Sequence, residues 1–195
     1  MRSSTPRDFA GICARCFLKE AQCLCAELPR LETRTEVIII RHTAEVFLTS
    51  NTGRLAALIL PNARIVEYGG GNPFDDSFLC SDGTWLLYPG SHRGVPSPAP
   101  KRVVVLDATF RQARRMYKRI GALRALPELS LDAPAQAPHR LRAPPRADGL
   151  STIEAIATAL GRLENESLAE PLLRAYAEFV KRADFTRGRQ RQESG

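Results

Sequence analysis

The chain has 195 residues, of which 44% are hydrophobic and 25% are charged, as in ordinary water-soluble globular proteins. Its 28 Lys and Arg residues outnumber 21 Asp and Glu residues, and the excess of Arg over Lys favours partners that carry phosphate groups. No segment reaches the ~18 continuous apolar residues of a membrane span, and the N-terminus lacks the apolar region of a signal peptide. We therefore expect a cytoplasmic protein with no membrane partner.

Four cysteines lie close together near the N-terminus, at Cys13, Cys16, Cys23 and Cys25. Four thiolates are enough to close the tetrahedral shell of a structural zinc ion, and the first pair has the spacing of a zinc knuckle. Reduced thiols without a ligand and iron–sulfur ligation are the alternatives. The density of the cysteines favours Zn²⁺, held in an N-terminal segment that with its leading tail covers residues 1–30.

The first half of the chain alternates strand and helix patterns. Apolar runs rich in β-branched residues predict strands over 36–42, 64–68 and 84–88, and a short apolar helix is predicted over 54–60. The first of these strands ends at His42, which could donate to a phosphate or a carbonyl or have a structural role only. Pro89 and Gly90 predict a turn that closes the third strand.

The second half continues the alternation. A fourth strand and a helix are predicted over 103–124, a fifth strand over 128–131, a proline-rich loop over 133–148, and two helices from Ser151 and over 168–182. Ser151 and Glu154 have the spacing of a capping box. Strands that alternate with helices predict an α/β fold, with a mainly parallel sheet covered by helices on both faces.

The fourth predicted strand ends at Asp107, which makes this residue a site candidate, because ligands bind at the carboxyl ends of strands in open α/β sheets. The helix that follows has no acidic residue, and its basic residues share one face at Arg111, Arg114, Arg115, Lys118 and Arg119. A solvated surface is the alternative, but such faces usually mix both charges. Three pairs of like charges four positions apart, at 111/115, 114/118 and 115/119, have no acidic residue to compensate them, which favours a polyanion as the binding partner of this face. Hydrolase chemistry has no support, because no nucleophile-elbow motif is present.

Taken in order, these motifs resemble the DTW-domain family. The family pattern has four cysteines in this spacing, a His followed by Asn-Thr-Gly-Arg-Leu, an aromatic-Pro-Gly turn, Asp-x-Thr-Trp, and Leu-Ser-Thr-x-Glu-Ala. Here the matching residues are the four cysteines, His42, Asn51 to Leu55, Tyr88 to Gly90, Asp107 to Phe110 and Leu150 to Ala155. The match covers about residues 12–180. Phe110 stands where the family has tryptophan, so the aromatic plane is kept and the indole N–H donor is lost.

The resemblance implies a catalytic domain over residues 31–185 that is similar to the SPOUT methyltransferases, with a C-terminal trefoil knot, followed by a basic tail over 186–195. It implies transfer of the 3-amino-3-carboxypropyl group of S-adenosylmethionine to N3 of a tRNA uridine, in bacterial members at position 47 of the variable loop. The pocket for this co-substrate would be formed by Leu87, Tyr88, Pro89, Gly90, Leu106, Thr109, Phe110, Leu150, Ser151 and Thr152.

Within that implied site, Asp107 would hold the ammonium of the transferred group or take the N3 proton of uridine. The tRNA would contact His42, Arg54, Arg111, Arg114, Arg115, Lys118, Arg140 and Arg142. Two alternatives stay open: an RNA methyltransferase on the same scaffold, and a zinc-containing RNA-binding protein without catalysis. The sequence specifies neither the oligomeric state nor the tRNAs that would be modified.

Overall fold

The computed structural model describes residues 9–71, 73–93, 95–131 and 149–186. Its centre is a five-stranded sheet in the order β2-β1-β4-β3-β5, in which every neighbouring pair is parallel. The strands are β1 (Glu36–His42), β2 (Ala63–Tyr68), β3 (Thr84–Arg93), β4 (Arg102–Asp107) and β5 (Glu128–Ser130). The predicted α/β fold with a parallel sheet is confirmed.

Four α-helices accompany this sheet in the described part of the chain: α1 (Thr52–Ile59), α2 (Phe110–Arg119), α3 (Thr152–Leu163) and α4 (Ala169–Thr186). The side chains of Asn51, Thr109 and Ser151 accept backbone N–H groups in the first turns of α1, α2 and α3. Ser151 and Glu154 form the predicted capping box. Short 3₁₀ helices span Glu20–Gln22, Thr43–Glu45, Ser77–Cys80, Gly121–Ala125 and Glu166–Leu168.

The two faces of the sheet belong to different parts of the core. Val37 and Ile39 of β1 pack in one cluster with residues of α1, α3 and α4. The same cluster includes residues of the segment that holds the four clustered cysteines, described over residues 9–30 and called the cysteine segment below. Ile38 and Ile40 pack in the other cluster, with Met116 of α2 and the 3₁₀ helix that follows it. Since successive side chains of a strand point to opposite faces, burial on both sides explains why β1 is apolar without alternation.

The structure corrects the predicted end of the third strand. The turn expected at Pro89 and Gly90 does not end it, because β3 continues to Arg93. Its pairing with β5 is irregular, and both Leu87 and His92 lie opposite Leu129. Pro lacks a backbone N–H, so an interruption of the ladder at this position is expected, but the chain regains its strand pairing beyond it.

The remaining elements differ from the prediction only at their ends. Helix α2 stops at Arg119, and the residues predicted to continue it form the separate 3₁₀ helix after Ile120. Helix α4 continues to Thr186. Among the described residues, no helix is both long and apolar enough to cross a lipid bilayer.

The predicted loop over 133–148 lies outside the described residues, and Arg140 and Arg142 lie there with it. The trefoil knot, the boundaries of the cysteine segment and the basic tail stay predictions.

Candidate active site and nucleic-acid surface

The candidate site lies at the carboxyl edge of the parallel sheet. Strand β1 ends there at His42 and strand β4 at Asp107, and the backbone register places Arg41 opposite Asp107. The N-termini of α1 and α3 are at the same edge, because side chains from both contact Asp107. In open α/β sheets this edge is where ligands bind.

Asp107 is the point where three distant segments meet. Its Oδ1 accepts a hydrogen bond from the Thr152 hydroxyl at 2.7 Å, and its Oδ2 accepts one from the side-chain amide of Asn51. The residue is 4% exposed. Burial raises the pKa of Asp107, and the hydrogen bonds from Thr152 and Asn51 oppose that rise. The carboxylate is therefore enclosed by the protein and hydrogen-bonded on both oxygens.

Helix α1 approaches this carboxylate closely enough to require glycine. A Cβ added to Gly53 would lie 2.6 Å from Oδ2 of Asp107 and 3.1 Å from Cγ2 of Ile39. Asn51 has two partners here, because its Oδ1 also accepts the backbone N–H of Arg54 at 3.0 Å. Asn51 and Gly53 were named from the sequence only as part of a family motif and were not among the predicted site residues. The available signal was a capping amide two residues before a glycine, which permits close approach to another group.

Residues predicted to bind the co-substrate come from three segments of this edge. In β3, just beyond the residues that pair with β4, Leu87 is buried and Tyr88 is half-buried. Leu106 is half-buried near the end of β4, and Thr109 and Phe110 are exposed where α2 begins. Leu150, Ser151 and Thr152 are half-buried at the start of α3. The rings of Tyr88 and Tyr117 are stacked with centroids 4.5 Å apart. Pro89 and Gly90 belong to β3 by their backbone.

His42 links the end of β1 to the start of α2. Its Nδ1 accepts the backbone N–H of Ala44 at 3.1 Å, and the side-chain nitrogen of Gln112 lies 3.5 Å from the same atom. Since Nδ1 is the acceptor, the proton of the neutral ring belongs on Nε2, which is then a donor.

Arg54, for which the family resemblance implies a tRNA contact, is not on the surface. It is 7% exposed, and its guanidinium donates to the carbonyl oxygens of Val46 and Leu48 and lies 3.8 Å from the ring centre of Phe17. Burial lowers its pKa to about 10. These contacts join the cysteine segment to the loop between β1 and α1, so we leave Arg54 out of the candidate RNA surface and assign it a structural role.

The basic face of α2 is on the surface, next to the end of β4. Its five residues Arg111, Arg114, Arg115, Lys118 and Arg119 are all exposed, and the first four of them line a shallow depression. No ion pair between described residues involves any of the five. On the opposite side of the helix, Met116 is fully buried against the sheet. The uncompensated charge is therefore presented outward, a few residues after Asp107.

The four cysteines have the geometry of a tetrahedral metal site. Their sulfur atoms lie within 4.8 Å of one another, with 3.8 Å from Cys13 to Cys25, 3.8 Å from Cys16 to Cys23 and 3.5 Å from Cys23 to Cys13. Four sulfurs bound to one Zn²⁺ at ~2.3 Å lie roughly 3.8 Å apart. The three measured separations match this value within 0.3 Å and no pair exceeds 4.8 Å, so the four thiols fit one zinc ion, and four protein ligands would leave no open position for catalysis.

The cysteine segment packs against the helices at the C-terminal end of the domain. Leu18 and Leu24 belong to the same buried cluster as α3 and α4. Arg182 of α4 donates to the carbonyl oxygen of Cys23 at 3.0 Å and to both carboxylate oxygens of Glu27, at 2.9 and 2.6 Å. This arginine holds the segment against the C-terminal helix.

Comparisons with known proteins found one matching family model and several named relatives. A family model described as the DTW domain matches residues 10–184. Proteins named tRNA-uridine aminocarboxypropyltransferase 2 from Mus musculus and Drosophila melanogaster are each 30% identical to the chain, over 83% and 87% of its length. A protein named tRNA-uridine aminocarboxypropyltransferase A from Arabidopsis thaliana is 28% identical over 87% of the chain. The matches cover 60%, 75% and 80% of these relatives, so the chain spans well under the full length of the mouse protein. No solved structure matches the chain.

Proposed function

The chain belongs to the DTW domain family, and on this premise we propose that it is a tRNA-uridine aminocarboxypropyltransferase that uses S-adenosylmethionine. One observation carries the proposal: Asn51, Asp107 and Thr152 meet at the carboxyl edge of the sheet, beside a helix with five cations that form no ion pair with any described residue. A group-transfer site next to a polyanion-binding surface is what this activity requires.

The edge offers the chemical groups that S-adenosylmethionine needs. Leu106 and Leu150 are half-buried apolar residues, suited to an adenine ring, and Thr109 and Thr152 add hydroxyl groups. When bound, the co-substrate would supply the 3-amino-3-carboxypropyl group: N3 of the uridine forms a bond to the terminal carbon of this group as the bond from that carbon to sulfur breaks, methylthioadenosine leaves, and the N3 proton passes to water. The residues of the chain hold its sulfur centre so that the amino-acid arm, and not the methyl group, faces the uridine, because orientation decides which carbon reacts.

The basic face of α2 supports tRNA as the acceptor. Five cations on one face, with no carboxylate among the described residues paired to them, suit a phosphate backbone. His42 lies between β1 and this helix, where an Nε2–H donor can reach a substrate oxygen. In this proposal Zn²⁺ is structural and fixes the cysteine segment against α4, on the face of the sheet opposite α2.

The proposal is tested with unmodified tRNA and S-adenosylmethionine labelled either in the carboxyl carbon or in the methyl carbon. Incorporation of the carboxyl label alone supports aminocarboxypropyl transfer, and nucleoside analysis then identifies the uridine. Incorporation of the methyl label would make the chain a methyltransferase. Binding of tRNA with neither label transferred would leave an RNA-binding protein without catalysis.

A further inference from the structure

Asp107 is almost completely enclosed by the protein, with 4% of the residue exposed. Helix α1 covers it on one side, where a Cβ at Gly53 would lie 2.6 Å from Oδ2 and 2.8 Å from Cγ, so nothing larger than hydrogen fits between helix and carboxylate. Both oxygens already accept hydrogen bonds. No ion pair between described residues includes Asp107, since Arg41, opposite it in the sheet, pairs with Glu67 at 2.7 Å.

The partners of this carboxylate are the starts of two helices. Asn51 is the N-cap of α1, and Thr152 is the first residue of α3. The positive ends of both helix dipoles therefore lie at the carboxylate, which compensates part of the cost of burying it. The start of α3 also carries Leu150, Ser151 and Thr152, which are proposed to bind the co-substrate, and α1 is the helix that follows β1.

We infer that Asp107 is a positioning residue: its buried carboxylate fastens the N-termini of α1 and α3 to the end of β4 and so assembles the binding edge, without exchanging a proton or binding the ammonium group. This inference rests on the proposed function and replaces the two chemical roles considered for Asp107. We call the hydrogen-bonded group of Asp107, Asn51 and Thr152 the clasp.

The clasp can be tested by exchanging donor and acceptor. In the double variant Asn51→Asp with Asp107→Asn, the new carboxylate at position 51 can accept both the Arg54 N–H and the amide at position 107. The amide oxygen at 107 can still accept the Thr152 hydroxyl. All three hydrogen bonds and the net charge are kept. Asn51→Asp alone instead places two carboxylates in contact, and Asp107→Asn alone removes the charge that strengthens the bonds.

We expect Asn51→Asp to lose co-substrate binding and to melt at a lower temperature. Asp107→Asn should raise the KM for S-adenosylmethionine about 10- to 100-fold with a smaller change in kcat, because a hydrogen bond to a charged group is lost. The double variant should recover to within about tenfold of the wild-type KM. A double variant that melts and binds S-adenosylmethionine like the wild type, yet has a kcat no higher than Asp107→Asn, would overturn the inference and make Asp107 a catalytic residue.

Position 152 provides the matched control. Thr152→Ser keeps the hydroxyl donor to Asp107 and should melt at the wild-type temperature, while Thr152→Val has the same shape without the donor and should melt at a lower temperature. Equal melting temperatures of the two variants would contradict the clasp. If the wild-type chain transfers no label to tRNA, the proposed function fails, but the melting temperatures still test the inference. A double variant that melts at a higher temperature than Asn51→Asp supports the clasp, and a double variant that does not refutes it.

Discussion

Gly53→Ala tests the packing on which the candidate site depends. In an ordinary helix this change is favourable by at most about 1 kcal/mol, because alanine restricts the unfolded chain more than glycine does. Here the new methyl carbon would lie 2.6 Å from a buried carboxylate oxygen and 3.1 Å from Ile39. Overpacking of this kind costs about 1–3 kcal/mol. We therefore expect a net loss of roughly 1–2 kcal/mol in the free energy of unfolding.

Gly161→Ala is the matched control. Gly161 lies inside α3, where an added Cβ would be 3.4 Å from Cβ of Ala169, an ordinary contact, so this variant should gain up to about 1 kcal/mol. Urea unfolding followed by the fluorescence of Trp85, the one tryptophan of the chain, measures both. The variants should differ by roughly 1–3 kcal/mol. Equal stability would mean that α1 does not approach Asp107 as described.

Three further predictions concern other parts of the molecule. Cys16→Ser should lower both zinc content by mass spectrometry and the melting temperature, whereas Cys80→Ser, an exposed cysteine outside the cluster, should change neither. Exchange of Arg115 and Lys118 for glutamate should weaken tRNA binding and reduce the slope of log affinity against log salt by about 2, and an unchanged slope would refute a role in RNA binding. Burial opposes ionisation of Glu164, but two backbone N–H groups outweigh it and lower its pKa. Its stabilising contribution is therefore present at neutral pH and lost as the pH falls through the lowered pKa, so Glu164→Gln should be less stable than wild type near pH 7 and converge with it in acid.

The elements of the fold were predictable where a local pattern determined them. The apolar run of β1 and the capping box at Ser151 are signals contained within a few residues, and both elements lie where expected. The end of β3 was not predictable, because Pro89 and Gly90 favour a turn locally, while pairing with β5 is restored by residues some forty positions away.

In the candidate site, too, the features set by a local pattern were predictable and those set by long-range contacts were not. Asp107 was identified because it follows an apolar strand, a local feature. Its partner Asn51 was missed as a site residue, since their contact spans 56 positions and depends on how α1 packs on the sheet. The tRNA contact of Arg54 was implied by the family resemblance, and no local pattern around this residue indicated that it would be buried. Its guanidinium donates to the backbone carbonyl oxygens of Val46 and Leu48, and every residue type has such a carbonyl, so the sequence does not indicate these contacts.

The contact of Arg182 with Cys23 and Glu27 also has a consequence for biosynthesis. The residues it joins are separated by 159 and 155 positions, so the ribosome makes the cysteine segment long before the helix that holds it. The thiols can take up a metal ion as soon as they emerge, but Leu18 and Leu24 stay without their α4 neighbours until almost the whole chain has been made. A nascent chain arrested before α4 should therefore expose this segment to proteases, even when zinc is bound.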